Sequence, residues 1–165
     1  VSVTESLQAQ QFREHVIRPT LHEIGLWSEA AENLLLGTAL VESDGLRFVR
    51  QIRGPALSYY QIEPATHHWL VEEWLQHPKR VDLKVKILAL RAPVPDHVEQ
   101  LVTNLAYATA VCRLRYWIVR DPLPPADYLD GLAAYWKVNY NTVHGKGDPA
   151  KFVKMYRQHM PMGGL

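Results

Sequence analysis

The chain has 165 residues, 47% of them hydrophobic and 21% charged, enough to bury one core without disulfides or metal but cramped for two domains. Its 18 basic and 17 acidic residues leave a net charge of +1, which argues against a dedicated nucleic-acid binder. The single Cys112 excludes an internal disulfide, no stretch approaches the roughly 18 apolar residues of a membrane span, and residues 1–11 lack the apolar core of a secretory leader. Synthesis in the cytoplasm, or as a fragment of something larger, is therefore expected.

Residues 4–23 read as a first helix, with Phe12, Val16, Ile17 and Leu21 mostly at three- and four-residue steps. Pro19 should kink or divide it. Ser28 followed by Glu29 and Glu32 predicts an N-cap and an acidic first turn. The helix that follows is nearly all apolar from Leu34 to Val41, so it should be central and buried. Ser43-Asp44-Gly45 ends it. Residues 45–62 show no helical period and predict a loop or small hairpin. Pro64 suits the first turn of a helix through Trp69, Leu70, Glu73, Trp74 and Leu75. Residues 81–90 alternate like a strand, but their composition and neighbours favour helix. Pro93 and Pro95 break the chain, and a long helix should run from Pro95 or Asp96 to Ile118, burying Cys112 as a small apolar residue. Residues 121–125 form a proline-rich connector. Helices are expected over 126–138 and over 148–160, with Val143, His144 and Gly145 in a loop between them. The Gly-Lys-Gly at 145–147 is too short for a phosphate loop. The whole chain, 1–165, reads as one mostly α domain of about six to eight helices with an irregular or hairpin insertion after Glu42.

Glu42 carries the most chemical interest. A carboxyl at the end of an apolar helix is desolvated on one side, which raises its pKa and keeps its proton near neutral pH. Such a group can deliver a proton to a leaving glycosidic oxygen. The aromatic, Gly-containing loop with Tyr59, Tyr60 and Gln61 is what a carbohydrate cleft needs. Asp44 and Glu63 are the candidate second carboxylates, although Asp44 reads as a surface residue and Glu63 as a charge at the start of the next helix. His67 and His68 read as helix-surface histidines. With Glu63 they lack a third ligand at recognisable spacing, so no metal is expected, and nothing calls for a cofactor. Arg47, Arg50 and Arg53 are spaced by three, and Arg113, Arg115 and Arg120 follow. Each cluster reads as a solvated face or as a contact for an anionic glycan or phosphate.

The order of these segments resembles the lysozyme-like lytic transglycosylase family. The carrying residues are Glu42-Ser43, Gln61-Ile62, Pro64 and Thr66, then Asn104-Leu105 on a helix, then Tyr140-Asn141, across roughly residues 30–145. Within that family the strings Leu35-Leu36-Gly37-Thr38, Gly54-Pro55-Ala56-Leu57 and Tyr135-Trp136-Lys137 look similar to lysozyme-like proteins of tailed bacteriophages. The resemblance implies a lysozyme-like fold and cleavage of the MurNAc–GlcNAc bond of peptidoglycan by a lytic transglycosylase or muramidase. Glu42 would be general acid and base, with Ser43, Tyr59, Tyr60, Gln61, Asn104, Tyr140 and Asn141 as substrate contacts. Peptidoglycan glycan strands, and other virion proteins, would be its partners. The setting implied is a phage protein made in the bacterial cytoplasm, carried in the virion and acting at the periplasmic wall. Three departures stand out: Ser58 and Val111 replace a Gly and a Tyr of the family pattern, and Ala108 replaces a helix Gly. They leave open a catalytically altered structural or adaptor protein of the virion. A transglycosylase needs no second carboxylate, because the sugar's own C6 hydroxyl attacks. A hydrolase needs one, at about 5–5.5 Å for retention or about 6.5–9.5 Å for inversion.

Overall fold

The computed structural model describes residues 3–141 and 145–160, and it is mostly helical. The first helical run comprises α1 (Val3–Phe12), a π-helical turn (Arg13–Ile17) and α2 (Arg18–Glu23). Pro19 does not divide it. Instead the Arg18 N–H reaches back to the Arg13 carbonyl, a wide turn placed just before the residue that has no N–H to give. Ser28 caps α3 (Glu29–Glu42) as expected, its Oγ accepting from Ala31 N at 3.0 Å. Every residue of α3 from Ala31 to Val41 is buried. It packs against α7 (Leu105–Trp117), α8 (Leu129–Trp136) and α9 (Pro149–His159).

Two details of α3 set its position. A Cβ on Gly37 would lie 2.1 Å from the Phe152 ring, so only glycine lets α9 approach this closely. The helix ends where Asp44 turns left-handed (φ 52°) and Gly45 N–H bonds the Leu40 carbonyl at 2.8 Å. Ser43 stabilises the same turn, donating to Ala39 O at 2.7 Å and accepting from Leu46 N at 2.9 Å.

The insertion over 45–62 is a minimal meander. Leu57 bridges antiparallel to both Arg50 and Ile62, and no longer strand forms among the described residues. Five non-glycine residues at or beside it have positive φ: Asp44, Leu46, Arg53, Ser58 and Gln61. Strain of this kind persists only where surrounding contacts impose it. At Ser58 (φ 73°) the side chain meets part of that cost by accepting from Tyr60 N at 3.0 Å.

The chain continues through α4 (Pro64–His68), a π turn (Trp69–Glu73) and α5 (Val81–Leu88), so the alternating 81–90 stretch is helical. The single long helix expected from residue 95 or 96 is two pieces. It begins as α6 (Gln100–Thr103) and breaks at Asn104, which caps α7 by accepting from Tyr107 N at 3.0 Å. Helix α8 runs on into a π turn (Lys137–Asn141). Val143 and His144 lie outside the described residues, as does Thr142. Cys112 is fully buried, and burial pushes its thiol pKa far up.

Glu32 corrects the picture of a simple acidic first turn. Its carboxylate is 1% exposed and accepts from Arg13 Nε at 2.6 Å, Arg18 Nη2 at 2.7 Å and Trp27 Nε1 at 2.8 Å. Burial alone would raise its pKa, but the hydrogen bonds from Arg18, Arg13 and Trp27 together outweigh it and hold the group low. This buried pair ties the first helical run to α3. Among the described residues no helix is long and apolar enough to cross a membrane.

Candidate active site

Helix α3 delivers Glu42 to a cleft of about 620 Å³ between the insertion and the helices. The insertion contributes Phe48, Gln51, Ile52 and Gln61 to its walls; Glu63 and Thr66 stand at the start of α4; Arg115 comes from α7, and Tyr140 and Asn141 from the turn after α8. The Trp136 indole N–H donates to Glu42 Oε1 at 2.9 Å. The other carboxyl oxygen, Oε2, takes no hydrogen bond from the described residues. Burial pushes the Glu42 carboxyl up to about 7. The Trp136 hydrogen bond and the positive charges of Arg115 and Lys151 pull it down without cancelling that rise. The group therefore carries its proton for about half the time at neutral pH.

Gln61 reaches the cleft wall with its backbone left-handed (φ 49°), and its side-chain amide donates to Ser58 O at 2.8 Å. Tyr140 is held from three sides. Its hydroxyl donates to Tyr60 O at 2.7 Å, its ring stacks on Tyr116 at 5.1 Å, and its carbonyl accepts from Arg115 Nη2 at 2.7 Å. Asn141 Oδ1 accepts from Lys137 Nζ at 2.9 Å and from Gly147 N at 3.1 Å. This couples the cleft wall to the approach of α9.

Other expected contacts lie elsewhere. Ser43 is fully buried with its hydroxyl used by the helix-end turn. Tyr59 packs edge-on against Phe12, with ring centres 5.4 Å apart. Tyr60 is a core residue whose hydroxyl meets Thr109 Oγ1 at 2.8 Å. Asn104 caps α7 and donates to Leu90 O at 2.8 Å. None of the four lines the cleft. Ser43, Tyr60 and Asn104 each have a backbone or core partner for their polar group, and the Tyr59 ring is drawn onto Phe12. Of the candidate second carboxylates, Asp44 turns away and pairs with Arg47 at 3.5 Å. Glu63 stays exposed on the cleft rim and makes no side-chain cap for α4.

His67 is not a surface residue. It is buried against Tyr107, whose hydroxyl lies 2.7 Å from Nε2. Burial depresses its pKa to about 4, with the Arg91 charge adding to the effect. His68 is exposed. Among the described residues no three His, Cys, Asp or Glu side chains converge as a metal site.

The arginine clusters separate on folding. Arg47 pairs with Asp44 and Arg50 with Glu99, so the spacing of three does not build one face. Arg113 is buried and donates to Leu26 O. Arg115 alone of its cluster lines the cleft. The sequence held a signal for it: Arg115 falls four residues after Val111 and three after Cys112, in phase with the buried stripe of α7. Trp136 was equally legible, one helical turn before Tyr140 on the apolar face of α8.

No protein-family model, no curated protein and no solved structure matches the chain.

Proposed function

We propose that this protein is a peptidoglycan-degrading enzyme on a lysozyme-like scaffold, a lytic transglycosylase or muramidase, with Glu42 as its general acid and base. The observation that carries this reading is a carboxyl held near neutrality in a cleft, with one oxygen committed to Trp136 and the other uncommitted. Protonated Glu42 gives its proton to the oxygen between MurNAc and GlcNAc, and the C1–O bond breaks. Positive charge develops on the MurNAc ring as the carboxylate forms. That carboxylate then takes the proton from the C6 hydroxyl of the same sugar, and the C6 oxygen closes on C1 to give a 1,6-anhydro product. Proton and charge balance, and Glu42 ends as it began. Gln61 and Asn141 are the groups in reach to orient the sugars, with Tyr140 as part of the cleft wall.

The ordered resemblance to lysozyme-like phage proteins supports a setting in which a virion protein opens the host wall locally. The test is clearing of purified walls, including walls of the natural host. Wild type should clear them and Glu42→Gln should not. A folded wild type that clears none refutes the enzyme.

One observation favours a second reading, a virion structural or adaptor protein. Val111 and Tyr60 are packed in the core, so the helper groups expected around the acid by resemblance are not at the cleft. In that case Glu42→Gln leaves particle assembly and infectivity intact, whereas loss of infectivity with assembly preserved contradicts it.

A further inference from the structure

Arg115 acts on Glu42 through its charge, but its N–H groups take no part in the acid–base step. Its Nη2 donates to the Tyr140 carbonyl at 2.7 Å, and its guanidinium carbon lies 4.7 Å from the centre of the Tyr140 ring. The side chain is thus fixed by the turn that also supplies Asn141. Its other N–H groups meet no acceptor among the described residues, and its buried Nε is one of them. Buried donors without partners are rare and costly. The contrast with other arginines is plain. Arg13 and Arg18 pair with Glu32, Arg50 with Glu99, and Arg91 with Glu72. Arg115 has no carboxylate within ion-pair distance among the described residues, although it lines a cleft with two of them, Glu42 and Glu63. Arg80 and Arg113 also lack an acid partner, but neither faces this cleft.

A guanidinium with unmet N–H groups in a confined site is suited to a carboxylate, which it binds through parallel charge-assisted hydrogen bonds. We propose that Arg115 reads a carboxylate carried on the glycan beside the bond at Glu42, so that acidic muramyl strands are selected over neutral N-acetylglucosamine polymers. The proposal rests on the reading of this cleft as a glycan site. Two sources offer the same chemistry: the free lactyl carboxylate of peptide-free muramic acid, and the carboxylates of the stem peptide.

The experiment is calorimetric binding to Glu42→Gln, in which no turnover consumes the ligand. Four tetrasaccharides are compared: peptide-free MurNAc–GlcNAc with free lactyl carboxylates, its lactyl carboxamide, the peptide-bearing form, and chitotetraose. At least one carboxylate-bearing ligand should bind about tenfold or more tighter than the carboxamide and chitotetraose. Whichever acidic ligand gains identifies the source. The preference should vanish in the double variant Glu42→Gln, Arg115→Gln. Equal binding of acids and neutral analogues overturns the proposal, as does a preference that survives loss of Arg115. The carboxylate-to-carboxamide comparison changes only the ligand, so it decides the matter even if the double variant does not fold. Because binding is read without chemistry, an inactive wild type with the preference intact refutes the catalytic role of Glu42 and leaves this proposal standing. No binding of any saccharide overturns both.

Discussion

Replacing Glu42 by glutamine should change the pH dependence of stability in a way few substitutions can imitate. The Glu42 carboxyl rises from 4.5 to about 7 on folding, so between those values the folded state binds a proton that the unfolded state has lost. That contribution is full below pH 4.5 and is lost as pH rises through 7. The difference of 7 − 4.5 = 2.5 units corresponds to about 3 kcal/mol. His67 acts in the opposite sense. Its pKa falls from 6.5 to about 4, so its contribution is present above 6.5 and is lost as pH falls towards 4. In wild type the two nearly cancel between pH 4.5 and 6.5, and stability should be almost flat there. Glutamine keeps the acceptor for Trp136 and removes the titration. The variant should match wild type near pH 4, gain stability up to pH 7 as the His67 slope is unmasked, and exceed wild type by about 3 kcal/mol at pH 8. For a chain of this size that is a Tm about 6–12 °C higher at pH 8. Urea unfolding of both proteins at half-unit steps from pH 4 to 8 measures it. Parallel curves would refute the desolvated acid, because every other titrating group is common to the two proteins and cancels in the difference.

Other outcomes follow from the packing and the site. Glu32→Gln should cost about 3–5 kcal/mol in denaturant unfolding, because it leaves Arg13 and Arg18 facing a neutral group in a buried site; a cost below about 1 kcal/mol would mean the network is solvated. Gly37→Ala should lose about 1–3 kcal/mol despite better helix propensity, since the new Cβ meets the Phe152 ring. Pairing it with Phe152→Leu should recover part of that loss. If the enzyme reading holds, Trp136→Phe removes the donor to Glu42 and should move the alkaline limb of the kcat–pH profile upward, because the indole N–H favours the ionised carboxylate. An unmoved limb would separate Trp136 from the acid.

The helical elements were largely legible because their signals are local. Ser28 as a cap, the apolar run of α3 and the Asp44-Gly45 exit all depend on neighbours in the chain. The helix break at Asn104 was hidden, since an asparagine in an apolar period looks like a tolerated polar residue until its side-chain Oδ1 accepts from Tyr107 N. At the site, Glu42, Gln61, Tyr140 and Asn141 line one cleft. Ser43, Tyr59, Tyr60 and Asn104 do not, and residue type alone could not reveal that the Ser43 and Tyr60 hydroxyls and the Asn104 amide are satisfied at home or that the Tyr59 ring packs on Phe12. His67 and Glu32 were misread for a related reason. Both are polar residues on short-range patterns that favour the surface, and both are buried by partners 40 and 19 residues away.

The central claim is that Glu42 breaks a glycan strand, and its most direct test is mass spectrometry of the products of purified peptidoglycan incubated with wild type and with Glu42→Gln. A 1,6-anhydro-muramyl product from wild type alone is the predicted result. A reducing-end product from wild type would keep the acid but assign a hydrolase and turn attention to Glu63 on the cleft rim. No product from folded wild type on walls of the natural host, or equal product from Glu42→Gln, would contradict the account.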